Sequence, residues 1–243
     1  MQISLILAAL LPSLILLGYV LYQDRKRPEP PRLLLRAFVL GMFSTWLSTF
    51  ISTPLASLGV FSCEPEGIIG NLRLALFGAA IPEECAKLFV LWLVLRNNPW
   101  FDEHFDGIVY AVCVGMGFAA FENIEYLFAA GSNWVTTGLG RSLTAIPGHF
   151  AFAVIMGYYY SLNHFDKYRA PGAHIKMWLY PVLAHGIYDT IAMMAEVSPE
   201  MSGVITIVIL LGCFWGLKFA RKRMQTHLVA DAVMNGGVGV DEQ

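Results

Sequence analysis

The chain has 243 residues, of which 56% are hydrophobic and 14% charged, with a formal net charge of −2 and a mean hydropathy of +0.57. A soluble domain carries about 25% charged residues, so a soluble globular enzyme is excluded. No basic stretch with interleaved aromatics is present, which argues against a nucleic-acid partner.

The first apolar run, 1–22, has no positive residues ahead of it and three just behind it, Arg25, Lys26 and Arg27. That is the pattern of a retained span rather than a cleaved signal peptide. A charged, proline-rich linker follows over 23–32. Further runs fall at 33–52, 68–95, 107–130, 141–162, 176–196 and 203–220. A spanning helix needs ~20 mostly apolar residues. The predicted fold is therefore all-α, a polytopic transmembrane helical bundle of about seven spans with a polar cavity near the bilayer midplane. The weakly apolar stretch 53–62 would make an eighth if it re-enters the membrane. Residues 1–220 read as a single transmembrane domain. Residues 221–243 read as a polar cytoplasmic tail, mobile because it has no apolar stripe. Cysteines are scattered at Cys63, Cys85, Cys113 and Cys213 with no CxxC pair, so neither a disulfide framework nor a cysteine metal site is expected.

Charge sets the expected orientation. With the N-terminus outside, Arg25, Lys26, Arg27, Arg32, Arg96, Lys167, Arg169, Lys176, Arg221, Lys222 and Arg223 all fall in inner segments. This follows the positive-inside rule and puts the C-terminus in the cytoplasm, with the plasma (inner) membrane as the location. Arg141, at an outer helix end, is the exception.

Ionisable residues within spans are costly and face a cavity or a partner. Here they are Arg73, Glu83, Glu84 and Lys87 in the third span, Glu122 and Glu125 in the fourth, His149 in the fifth, and His185 and Asp189 in the sixth. At 1.5 Å rise per residue, Glu83 lies about 2 Å from the middle of its span, His149 about 4 Å and Glu122 about 5 Å, while His185 and Asp189 bracket the middle of theirs. Four helices thus place polar groups in one slab. Glu83 and Lys87 are i,i+4, Glu84 and Lys87 i,i+3, and His185 and Asp189 i,i+4, so each pair can share a helical face. Tyr126 stands i,i+4 from Glu122 and is expected to support that carboxylate. Pro82, Pro147 and Pro181 lie close before these groups and remove helical hydrogen bonds, which suggests a wet, locally opened cavity.

Two carboxylates with two histidines suit general acid–base activation of water or ligation of a divalent metal that activates it. Other readings stay open. The carboxylates and Lys87 can be a structural ion pair, His149 a satisfied core histidine, and the slab part of an ion- or proton-coupled transporter or a non-catalytic membrane scaffold. No inverted repeat supports a transporter. His104, His164, His174 and His227 read as bland loop or tail residues, and Glu125 as secondary.

These residues resemble a known family. EECAK, from Glu83 to Lys87, matches the EExxK motif of the PrsW-type intramembrane proteases. FDGIVYAVCVGMGFAAFENIEY, ending at Tyr126, resembles their second conserved stretch and its ENxxY element. Arg141 followed by PGH, ending at His149, resembles the third, and HGIYD, from His185 to Asp189, the fourth. The four pieces fall in order over 81–190. The resemblance, which extends to CAAX prenyl proteases and bacteriocin-processing proteases, implies an intramembrane endopeptidase. Its substrate would be a membrane-anchored protein, with anti-sigma factors cut at an outer site by members similar to this chain. It implies catalytic glutamates at Glu83 and Glu84, with Glu84 the first choice for the base and Glu83 the alternative. His149 would help to activate water, His185 and Asp189 would stabilise the oxyanion or bind metal, and Glu122 would be a further site carboxylate. Lys87 and Tyr126 would support them. If a divalent metal such as zinc is used, Glu122, His149 and His185 are its expected ligands. CAAX-type members often have asparagine where Asp189 stands, which favours orienting His185 or ligating metal here.

Overall fold

A computed structural model describes residues 2–236, and among them there is helix and no strand. Helix α1 spans Gln2–Gln23 and α2 Pro31–Ser57. A third passage combines α3 (Gly67–Arg73), a π-helical segment (Leu74–Ala80) and α4 (Ile81–Leu95). Helix α5 covers His104–Ala129. A short α6 (Trp134–Leu143) breaks at Thr144 before α7 (Ala145–Phe165), followed by α8 (Ala173–Val197) and α9 (Ser202–Met234). Five stretches are long and apolar enough to cross a membrane: Gln2–Gln23, Pro31–Ser57, His104–Ala129, Gly131–Phe165 and Ser202–Met234. The two other long passages, 67–95 and 173–197, are the ones that carry Glu83, Glu84 and Lys87, and His185 and Asp189.

The expected helical membrane bundle is therefore present, with three local differences. Helix α2 runs through Pro54 to Ser57, so 53–62 holds the last turn of a span and a loop rather than a re-entrant piece. The fifth span is split at Thr144. Helix α9 continues to Met234, so 221–234 is helix and not a mobile tail; residues 237–243 lie outside the described residues.

Helix α5 is the hub, packing against α1, α2, α4, α6, α7 and α9. Its residues from His104 to Ala120 are all buried, which fits a helix apolar on every face. Small residues let its neighbours approach. A Cβ on Gly117 would strike the Phe38 carbonyl oxygen of α2, and one on Gly41 the Val114 carbonyl oxygen of α5. Close backbone approach of this kind is a main source of packing attraction between helices in lipid.

The far end of α5 from Glu122 is tied down by α9. Asp231 accepts the backbone N–H groups of His104 and Phe105, each at 2.8 Å, and lies 2.9 Å from His104 Nδ1. His104 Nε2 lies 3.0 Å from Asp166, and His227 Nε2 3.1 Å from the Tyr158 carbonyl. His104 and His227 are thus buried fastenings within helices rather than bland loop or tail residues. No local sequence pattern announced this, because both depend on partners far along the chain.

Candidate active site

The π segment begins the site. Pro82 has no N–H to give to Gly78, and the Ile81 N–H reaches Leu76 rather than the residue four back. Such widened turns occur frequently at functional sites. The next residues, Glu83 and Glu84, therefore enter the bundle side by side at the start of α4. Gly186, beside His185 on α8, has no Cβ to collide with the Leu76 side chain, so α8 closes on the π segment.

Two helices, α4 and α7, then meet at Lys87. Its Nζ donates to Glu83 Oε2 at 3.2 Å, to Glu84 Oε1 at 2.9 Å and to His149 Nδ1 at 3.2 Å. The ammonium has no acceptor, so the Nδ1 lone pair of His149 is engaged and its proton sits on Nε2. That Nε2–H points at Glu122 Oε2, 3.0 Å away. Glu122 is also paired with Arg141, whose Nε donates to Asn123 Oδ1 at 2.8 Å. On α8, His185 Nδ1 lies 2.9 Å from Glu84 Oε1, and Nε2 lies 3.2 Å from Asp189 Oδ2 and 3.8 Å from Glu83 Oε2. Phe152 stacks on the His185 ring at 4.9 Å between centroids. All six expected site residues, Glu83, Glu84, Glu122, His149, His185 and Asp189, belong to one connected cluster.

The cluster forms part of the wall of a cavity of about 560 Å³, lined by Glu83, Glu122, His149, His185, Tyr188 and Asp189 at one end and by Cys63, Pro65 and Asn71 at the other. Glu84 is fully buried and does not line it. Expectation and structure part at two residues. Tyr126 makes no hydrogen bond to Glu122 but lies under the Arg141 guanidinium, 3.8 Å from the ring centroid. Arg141, read as an exception to the charge rule, takes the role expected of Tyr126. A lone cation where the charge rule forbids one was the available signal.

The metal question turns on the donors. Glu83, His149 and His185 offer ligand atoms that lie within 4.8 Å of one another. Two imidazoles and one carboxylate form a known catalytic zinc set, with bonds of about 2.0–2.2 Å. The outer partners are also present, since Glu84 and Glu122 hold ring nitrogens of His185 and His149 as metal-bound histidines are usually held. The buried Oε2 of Glu84 has no hydrogen-bond partner, which leaves acceptor capacity beside the trio. The residues fit a divalent cation, provided the donors draw together and Lys87 retreats towards Glu84. Glu122, expected as a ligand, is taken by Arg141, and Glu83 stands in its place in the trio.

Carboxylates and imidazoles gathered inside a helical membrane bundle, around a polar cavity, define a membrane-embedded hydrolase. The sequence narrows the class. Residues 29–215 match the family described as PrsW family intramembrane metalloprotease, and the chain belongs to that family. It is 35% identical over 194 residues to the Protease PrsW of Geobacillus kaustophilus, covering 79% of this chain and 81% of that one. It is 32% identical over 196 residues to the Protease PrsW of Clostridioides difficile, covering 79% and 81%. The Protease PrsW of Bacillus subtilis is 31% identical over 228 residues, covering 93% and 98%. No solved structure matches the fold. The chain is a peptide hydrolase of the membrane, acting on a protein substrate there.

Proposed function

We propose that the chain hydrolyses a peptide bond of a membrane-anchored protein inside this cavity, with Glu83 taking the proton of the attacking water. One observation carries the choice. Glu83 lines the cavity, whereas Glu84 is fully buried, with Oε1 taken by Lys87 and His185 and the unpaired Oε2 shut away from the cavity. This reverses the preference for Glu84 taken from the sequence. Glu83 Oε2 faces Lys87 and His185, while Oε1 has no hydrogen-bond partner among the described residues.

Oε1 receives the water proton as the water oxygen bonds to the carbonyl carbon. It returns the proton to the amide nitrogen as the C–N bond breaks. Glu84 and Glu122 fix the rings of His185 and His149. Lys87 compensates the paired carboxylates. Asp189 orients His185. A divalent cation, zinc suiting the trio Glu83, His149 and His185, would polarise the water or the carbonyl, with Glu83 lending it one carboxylate oxygen and keeping the other for the proton.

A spanning helix hides its carbonyls in its own hydrogen bonds, so the cut segment is extended, helix-broken or juxtamembrane. The cavity reaches the loop at Cys63 and Pro65. By the charge distribution that loop lies outside, with the N-terminus outside and the C-terminus in the cytoplasm of a bacterial plasma membrane. A membrane-anchored anti-sigma factor cut on its outer side is the substrate class that the family resemblance supports.

The test compares protein N-termini in membranes from cells expressing wild type, Glu83→Ala or Glu84→Gln, with a wild-type arm stripped of metal by a strong chelator. Termini made by wild type, reduced by the Glu84 variant and abolished by the Glu83 variant and by chelation support the reading. Termini unaffected by Glu83→Ala remove Glu83 as the base, and termini that survive chelation remove the metal.

A further inference from the structure

The cavity has a polar residue far from the reacting groups that nothing so far employs. Asn71, on α3, is 2% exposed and lines the cavity wall. Its Oδ1 is buried and has no hydrogen-bond partner. Buried polar atoms are nearly always paired, and an unpaired one destabilises the fold. The exception calls for a ligand that supplies the missing donor.

Its position says what kind. Asn71 stands twelve residues before Glu83 on the same helical passage. That is about 18 Å at α-helical rise, a little less through the wider π turns. Both residues face one cavity. An extended chain covers that distance in about five residues. A carboxamide carries a donor and an acceptor side by side, which is also the pattern of a peptide group. Only an extended peptide leaves its own N–H and C=O free to meet it.

We propose that Asn71 is a substrate-binding residue, holding a backbone peptide group of the extended substrate about five residues from the scissile bond. The proposal rests on the peptidase reading and extends the binding path from Glu83 up to the loop at Cys63 and Pro65. It makes a remote contact that sets where the chain lies, and hence which bond reaches Glu83.

The experiment uses the full chain in membranes and, for stability, purified in detergent. Products are the protein N-termini present with wild type and missing from cells carrying the empty vector. Asn71→Ala and Asn71→Leu are compared with wild type at equal expression. The expected result is a fall of tenfold or more in product yield, or cut sites displaced by one or more residues, with Tm unchanged or raised. A structural asparagine would behave in the opposite way, since its loss would lower Tm. Wild-type yields at wild-type sites in both variants would overturn the proposal and leave ordered water as the partner of Asn71. A Tm lowered by several degrees in both variants would also overturn it. Because products are defined against the empty vector, termini that persist in Glu83→Ala would sink the base assignment alone and leave the Asn71 comparison intact.

Discussion

Lys87 Nζ lies 3.2 Å from His149 Nδ1, joining α4 to α7 across 62 residues of sequence. The same ammonium holds both glutamates. One buried cation therefore compensates two carboxylates and fixes the tautomer of a histidine on another helix.

Replacing Lys87 with methionine keeps the length and removes the charge. Loss of one partner from a buried ionic cluster costs about 3–5 kcal/mol. The expected outcome is a marked drop in Tm of the detergent-solubilised chain, together with loss of the wild-type products. Lys87→Arg is expected to rescue poorly, because a planar guanidinium does not replace a compact ammonium. A Tm equal to that of wild type would mean that the cluster is not charged as described.

Glu122 holds His149 from behind and is itself held by Arg141. Glu122→Gln preserves the shape and removes the charge. Mutating the outer partner of a metal-bound histidine typically lowers metal affinity or activity by about 10–100-fold. Zinc affinity, measured by competition with a chelating dye, is expected to fall in that range. Arg141→Ala should weaken it less, since Glu122 keeps its charge. An affinity unchanged by Glu122→Gln would show that His149 is not a ligand.

At the other end of α5, Asp231 accepts two backbone N–H groups at the helix start. Loss of such a cap costs about 0.5–2 kcal/mol, and His104 Nδ1 loses its partner as well. Asp231→Ala should lower Tm without altering which bonds are cut. Altered cut sites would connect the clamp to the active site through α5.

The linker between α1 and α2 predicts a pH effect. Burial pushes the Asp24 carboxyl up to about 7 from 3.8, partly offset by the Glu29 backbone N–H that it accepts, while repulsion from the Glu29 carboxylate adds to the rise. The folded state then holds a proton that the unfolded chain has lost, so stability falls as pH rises between these values. Asp24→Asn should flatten this slope in a series of Tm measurements across pH 4 to 7. Glu29, also raised by burial, retains part of it. A slope identical in the variant would mean that Asp24 is ionised throughout.

The polar slab was legible because depth along a spanning helix follows from residue number alone. Glu83, Glu122, His149, His185 and Asp189 all prove to lie in one cluster. What the slab could not show was direction around each helix axis. Tyr126 is i,i+4 from Glu122 and still turns to Arg141. Glu83 and Glu84 are adjacent in sequence, and only the π segment and the closing of α8 decide which one meets the cavity. Asn71 was passed over because an uncharged residue near a helix start carries no signal until its missing partner is seen.

The amino-acid sequence by itself determined a helical membrane protein, its passages, and the set of ionisable groups that share a depth. The physical reason is that the hydrophobic effect is non-directional and roughly proportional to area, so composition along a run is enough to commit it to the bilayer. Tertiary structure alone decided which donors converge, that Lys87 also reaches His149 on α7, and that α9 returns to cap α5. Hydrogen bonds and ion pairs act over about 3 Å and depend on angle. Their partners here stand 62 residues apart for Lys87 and His149 and 127 for His104 and Asp231, and only packing of the helices brings them within that reach.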